Sequence, residues 1–145
     1  MPDLAAEAAI REIIAAHSRA VRDGDVDAIT ANVADDVVLF DVIGALGSQG
    51  VAASRERAAQ WLGTYDGPVS WETAQVQVTA GGDVAFSHGL SHVTGTLKMG
   101  ASVDMWFRTT LGFRRIDGRW RIVHDHSSDP FDPETGKALT SLEPV

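Results

Sequence analysis

The chain has 145 residues, 44% hydrophobic and 22% charged, a balance that gives one globular domain with room for a true core. Its net charge of −8 argues against nucleic acid or an anionic membrane as partner, and the absence of cysteine excludes disulfides, a thiol nucleophile and thiolate metal sites. No apolar run approaches the ~20 residues of a membrane span, and the N-terminus lacks a basic-then-apolar leader pattern, so a cytoplasmic protein is expected.

Ile10, Ile13, Ile14, His17 and Val21 recur at helical spacing and predict a first helix, with Asp3 as N-cap and Gly24 as its stop. A shorter helix follows from Asp25, with Val26, Ile29 and Val33 on its inner face. Residues 37–43 then read as a strand, with Val37, Leu39, Asp41 and Ile43 on one side and Val38, Phe40 and Val42 on the other. Both sides are apolar except for Asp41. An ionised carboxylate there is costly unless it is paired, hydrogen-bonded or set in a cavity. Either it reaches water near the strand end, or it is a pocket carboxylate poised as a proton acceptor. The turn-rich residues 44–50 precede a third helix, which starts near Ser54 and turns Ala58, Trp61, Leu62 and Tyr65 inward until Asp66-Gly67-Pro68 ends it.

From residue 69 the helical period gives way to alternation. Residues 69–79, 83–97, 101–116 and 119–127 predict long strands, separated by the hairpin signals Ala80-Gly81-Gly82-Asp83, Lys98-Met99-Gly100 and Asp117-Gly118. The expected class is α+β: a cone of three N-terminal helices packed on a strongly curved antiparallel sheet. One domain spans residues 1–145, with about 128–145 as a C-terminal tail anchored by Phe131.

Three segments carry a resemblance: Arg22-Asp23-Gly24-Asp25-Val26-Asp27-Ala28-Ile29, then Ala34-Asp35-Asp36-Val37, then residues 113–124 from Phe113 through Asp117-Gly118 to His124. With the layout, they resemble the nuclear transport factor 2-like superfamily, which includes ketosteroid isomerases, SnoaL-like polyketide cyclases, limonene epoxide hydrolase and the association domain of calmodulin-dependent kinase. The resemblance covers nearly the whole chain and implies a bent sheet wrapped around a pocket. It puts the isomerase's catalytic base on Asp41, its oxyanion-hole tyrosine on His17 and its second, protonated oxyanion donor on Thr110. Both donors are therefore replaced. Each such donor contributes on the order of hundred-fold or more, so steroid isomerisation itself is disfavoured.

If Thr110 points inward as the resemblance implies, alternation brings Arg108, Trp106 and Asp104 with it. The more ordinary strand pattern is the reverse, with Met105, Phe107, Leu111 and Phe113 facing the core. The resemblance favours the first arrangement, and on the next strand it turns Val123, Asp125 and Ser127 inward and His124 and His126 outward. The expected catalytic set is then Asp41, His17, Arg108 and Asp125. The expected substrate contacts are Trp61, Asp104, Trp106, Thr110 and Ser127. His124-x-His126 shares one strand face, but no carboxylate completes a set, so no metal site is expected.

The function expected from these residues is a cofactor-independent, isomerase-like or cyclase-like enzyme that moves a proton on a small carbonyl or aromatic compound. The alternative is a non-catalytic ligand-binding or assembly module. A third reading is an epoxide hydrolase-like enzyme with an acid–arginine–acid set. A homodimer is expected, because the chosen strand phase leaves Phe, Leu, Met and Val side chains on the outer sheet face.

Overall fold

The computed structural model describes residues 2–145. Helix α1, Leu4–Asp23, starts where the Asp3 carboxylate accepts a hydrogen bond from the Ala6 amide at 3.0 Å. It stops at Gly24, whose φ of 66° is left-handed and suits glycine. Asp25 caps the short helix α2, Val26–Thr30, through the Ala28 amide. The chain then enters strand β1, Val33–Phe40, followed by the two-residue strand β2, Ser48–Gln49. Helix α3, Val51–Gly63, leads into four long strands: β3 Ser70–Gly81, β4 Val84–Thr96, β5 Ser102–Ile116 and β6 Arg119–Ser128.

The six strands form one sheet in the order β2-β1-β6-β5-β4-β3. All neighbours are antiparallel except β1 and β6, which run parallel and bring Leu39 opposite Asp125. Register shifts interrupt β1–β6, β3–β4 and β5–β6. Bulges of this kind increase twist and bend the sheet. Gln75, at the β3 bulge, has φ 55°. Two apolar clusters fill the concave side. Ile10 of α1 packs with Val37, Ala85, Phe113, Trp120 and Ile122, and Val21 packs with Tyr65, Val69, Val93 and Phe107. Phe113, 2% exposed, gains about 1.5–3 kcal/mol from its burial.

Three expectations require correction. Two helices, not three, precede the sheet, because α3 is inserted between β2 and β3. Val33 belongs to β1 rather than to α2, and it pairs with Ile122 of β6. The phase of β5 is the reverse of the one expected. Phe107 and Phe113 are buried against the helices, while Asp104, Arg108 and Thr110 are exposed and Trp106 lies with them on the outer face. Burying the apolar set removes large hydrophobic area from water, whereas burying an arginine and an acid would carry a desolvation cost with no compensating gain. The homodimer expectation rested on β5 turning its Phe, Leu and Met side chains outward, and that ground is lost, although Val84 and Phe86 of β4 remain exposed on the outer face.

The C-terminal tail is tied down by other means than expected. The Phe131 side chain is 66% exposed, and its backbone pairs with Ala138 of the tail itself rather than with the sheet. The Thr140 carbonyl instead accepts a hydrogen bond from the Trp106 amide at 2.9 Å, on the stretch of β5 that β6 is too short to cover.

Candidate functional site

Between the two clusters, under α1 and α3, the concave face encloses a cavity of about 210 Å3. Pockets for drug-sized ligands measure roughly 300–1,000 Å3, so this space suits a compact molecule. Its walls are aromatic. His17 of α1 meets Trp71 of β3 edge-on, with ring centres 4.8 Å apart. Trp71 in turn meets Phe107 at 5.2 Å and Trp61 of α3 at 5.7 Å, both edge-on. These contacts lock the rings against one another and leave flat apolar surface facing the space between them.

Two carboxylates enter this cavity in different states. Asp41 sits just past the end of β1 rather than within a strand. Its Oδ2 accepts from Arg57 Nε at 2.7 Å and its Oδ1 from the Val42 amide at 2.7 Å. Each side chain of this pair is about a third exposed, at 32% and 34%, so the pair lies at the cavity rim. An acid held this way has both oxygens engaged and anchors the guanidinium at the rim. Asp125 comes from β6 and, among the described residues, receives no hydrogen bond from protein. Burial, and secondly the negative charge of Asp41, push its pKa up to about 6, against a smaller opposing pull from His124. The Nδ1 of His124 lies 2.8 Å from the Val38 carbonyl and donates to it, since a carbonyl can only accept.

His17 completes the polar lining. Burial lowers its pKa to about 4, so at neutral pH its imidazole is uncharged and offers one donor and one acceptor. A second, smaller chamber of about 50 Å3 adjoins the first, and His17, Trp71, Ile122 and Asp125 belong to the walls of both.

Of the residues singled out in the sequence, His17, Asp41, Trp61, Asp125 and Ser127 line the main cavity. Arg108, Asp104, Trp106 and Thr110 do not, because their strand phase places them on the opposite face of the sheet. There the ring of His92 stacks on Trp106 at 4.3 Å, and its Nε2 lies 2.6 Å from Asp104. On β6, Ile122 rather than Val123 lines the cavity, a consequence of the bulge opposite Gly112 and Phe113. Arg57, Trp71 and Phe107 are cavity residues not foreseen. Arg57 stands three positions after Ser54 and four before Trp61, so the helical stripe already contained it. Among the described residues no three His, Asp or Glu side chains converge as a metal-binding group, and no helix is long and apolar enough to cross a membrane.

A bent sheet closed by helices over a cavity is the nuclear transport factor 2-like fold. Within that superfamily the chain belongs to the SnoaL-like domain family, whose model matches residues 10–132. It is similar to a nuclear transport factor 2-like protein of unknown function from Pseudomonas putida KT2440, with 40% identity over 99% of this chain and 100% of that one and a TM-score of 0.90. Two further structures share the fold. One is a candidate aromatic ring hydroxylase from Novosphingobium aromaticivorans, with 23% identity, 88% and 91% of the two chains covered and a TM-score of 0.79. The other is a candidate scytalone dehydratase from the same organism, with 12% identity, 99% and 95% coverage and a TM-score of 0.79. No curated protein matches the sequence.

Proposed function

We propose that this protein is a cofactor-independent enzyme that moves a proton on a small, neutral carbonyl or aromatic compound, with Asp125 as the proton acceptor. The observation that carries this reading is the contrast between the two acids. Asp41 is neutralised by Arg57, whereas Asp125 faces the apolar cavity unpaired, with a proton affinity raised to about 6. A base whose pKa lies close to the working pH is ionised often enough to act and basic enough to be effective. The base expected at Asp41 thus becomes a positioning group: its ion pair presents the Arg57 guanidinium to a carbonyl oxygen at the rim. His17, neutral and held against Trp71, donates to or accepts from the bound compound. The walls of Trp61, Trp71 and Phe107 favour a flat ring, and a fold neighbour described as a candidate aromatic ring hydroxylase is compatible with that class.

The test is a thermal-shift panel of small ketones, enones, phenols, epoxides and lactones on the wild type, Asp125→Asn and Asp41→Asn. A neutral compound that stabilises all three, and whose carbon-bound protons exchange with solvent only when Asp125 is present, supports the reading. Equal binding without exchange or turnover in any of them favours the non-catalytic ligand-binding module. A second copy of the chain would seat on the outer sheet face, where Phe86 is 48% exposed. Light scattering of the purified protein tests that homodimer.

A further inference from the structure

Resting on that reading, we infer that the small chamber beside Asp125 is a subsite for a short alkyl arm, so the substrate is a ring compound bearing one or two carbons on the carbon that loses its proton. The walls of the chamber are mostly apolar. Ile13 and Ile14 of α1, Val76 of β3, Leu111 of β5 and Ile122 of β6 line it, and Trp71 belongs both to it and to the main cavity. Its room comes from β4, which sets Ser87, Gly89 and Ser91 at successive inward positions opposite Leu111, Thr109 and Phe107 of β5. A side chain at Gly89 would collide with the β3 bulge: its Cβ would lie 3.0 Å from Val76 Cγ2 and 3.2 Å from the Ala74 carbonyl oxygen.

The hydroxyls in this wall do not turn it into a polar site. Those of Ser91 and Thr109 lie 2.9 Å apart and bond to each other. Thr73 is exposed, which leaves Ser87 as the remaining buried hydroxyl. Such a lining favours a hydrocarbon group over water, since a buried water needs about two to four polar partners. A methyl or methylene group takes roughly the room of a water molecule, ~30 Å3, so a chamber of about 50 Å3 accepts one or two carbons. By the same measure the main cavity, about 210 Å3, accepts a six-membered ring.

Asp125 lines both spaces and stands where they meet. A ring held among Trp61, Trp71 and Phe107, with its arm in the chamber, therefore brings the arm-bearing carbon against the carboxylate. In an α-alkyl cyclic ketone that carbon also carries an acidic proton. The carboxylate takes this proton, and the electron pair of the broken carbon–hydrogen bond moves through the new carbon–carbon double bond onto the carbonyl oxygen. Return of a proton from the Asp125 carboxyl to the same carbon reverses the flow and needs no further reactant.

Crystals of the wild type under xenon pressure test the chamber itself, and calorimetry with cyclohexanone and its α-methyl, α-ethyl and α-butyl derivatives tests the arm. Expected are xenon in the chamber and a gain in affinity of about four-fold per arm carbon up to ethyl, with none beyond it. Ser87→Val, which fills the chamber, should bind cyclohexanone as the wild type does and lose the gain from the arm. Leu111→Phe provides the same readout should Ser87→Val fold poorly. In deuterium oxide the wild type should label the arm-bearing carbon of the α-ethyl ketone about ten-fold faster than the unsubstituted α-carbon. Ordered water in place of xenon, an arm that adds no affinity, or a gain that both filled variants keep overturns the inference. Labelling of the unsubstituted carbon instead overturns it too, and leaves the acid–base role of Asp125 standing. A gain lost on filling, with no label at either carbon, upholds the alkyl subsite and refutes the acid–base reading.

Discussion

Asp125→Asn should change how stability depends on pH in a way that only a carboxyl with a raised pKa explains. In the unfolded chain this acid ionises near 3.8, and in the fold near 6. Between those values the native state keeps a proton that the unfolded state has released. Stability from this group is therefore fully present below pH 4, falls as pH rises toward 6, and stays lowered above it. A shift of this size corresponds to about 3 kcal/mol, reduced to about 2–3 kcal/mol by solvent on the open side of the cavity. His17 acts in the opposite direction. Its unfolded form takes up a proton below 6.5 while the folded imidazole stays neutral to about 4, so acidification across that window costs a similar amount. The two slopes nearly cancel in the wild type.

Asparagine at 125 removes one of them and exposes the other. Urea titrations followed by tryptophan fluorescence at intervals from pH 4 to 7.5 should show the variant gaining about 2–3 kcal/mol on the wild type between the two ends, with the denaturant slope unchanged. His17→Asn should lose a comparable amount over the same range. Taking differences between variants cancels the titration of distant carboxylates. A stability difference between Asp125→Asn and wild type that is constant over this range refutes the assignment of Asp125 as a buried, unpaired acid.

Asp41→Asn removes the second cause of the Asp125 shift and leaves the first, burial, in place, so the Asp125 titration followed by carboxyl NMR should move below 6 without reaching 3.8. Arg57→Met should cost at most about 1 kcal/mol in urea denaturation, because the ion pair is a third exposed, while weakening binding of a carbonyl ligand about ten-fold by calorimetry. Arg108→Ala, on the outer face, should leave that affinity unchanged, and a ten-fold loss would place β5 in the opposite phase. Phe113→Ala should cost about 3–5 kcal/mol by the same denaturation assay, since its side chain is fully buried in the cluster under α1.

The helical stripes and the four long strands were legible because each repeats one period over ten or more residues: Ile10 to Val21 on α1, Phe107 to Phe113 on β5. Local ambiguity hid the rest. Val33 fits the inner face of α2 and the start of β1 equally well, and only its pairing with Ile122, 89 positions away, decides. The Asp41–Arg57 pair joins the end of a strand to a helix across 16 residues, a contact that neither period encodes. The proton affinity of Asp125 depends on burial under α1 and on the distant charge of Asp41, so it arises only from the folded arrangement.

The phase of β5 determines which chemistry the cavity can perform. Slipping a strand by one residue exchanges its two faces entirely. With Asp104, Arg108 and Thr110 inward, a guanidinium would stand between acids and keep them ionised, which suits anchoring more than proton transfer. With Met105, Phe107, Thr109 and Leu111 inward instead, the only Arg or Lys lining the main cavity among the described residues is Arg57, already committed to Asp41 at the rim. Asp125 is left against apolar surface, with one negative neighbour and no cation bonded to it. Desolvation then governs its titration and lifts it toward neutrality, the range in which a carboxylate can both accept a proton and return it. The apolar side of β5, which contributes no reactive group of its own, is what leaves Asp125 desolvated and its pKa raised.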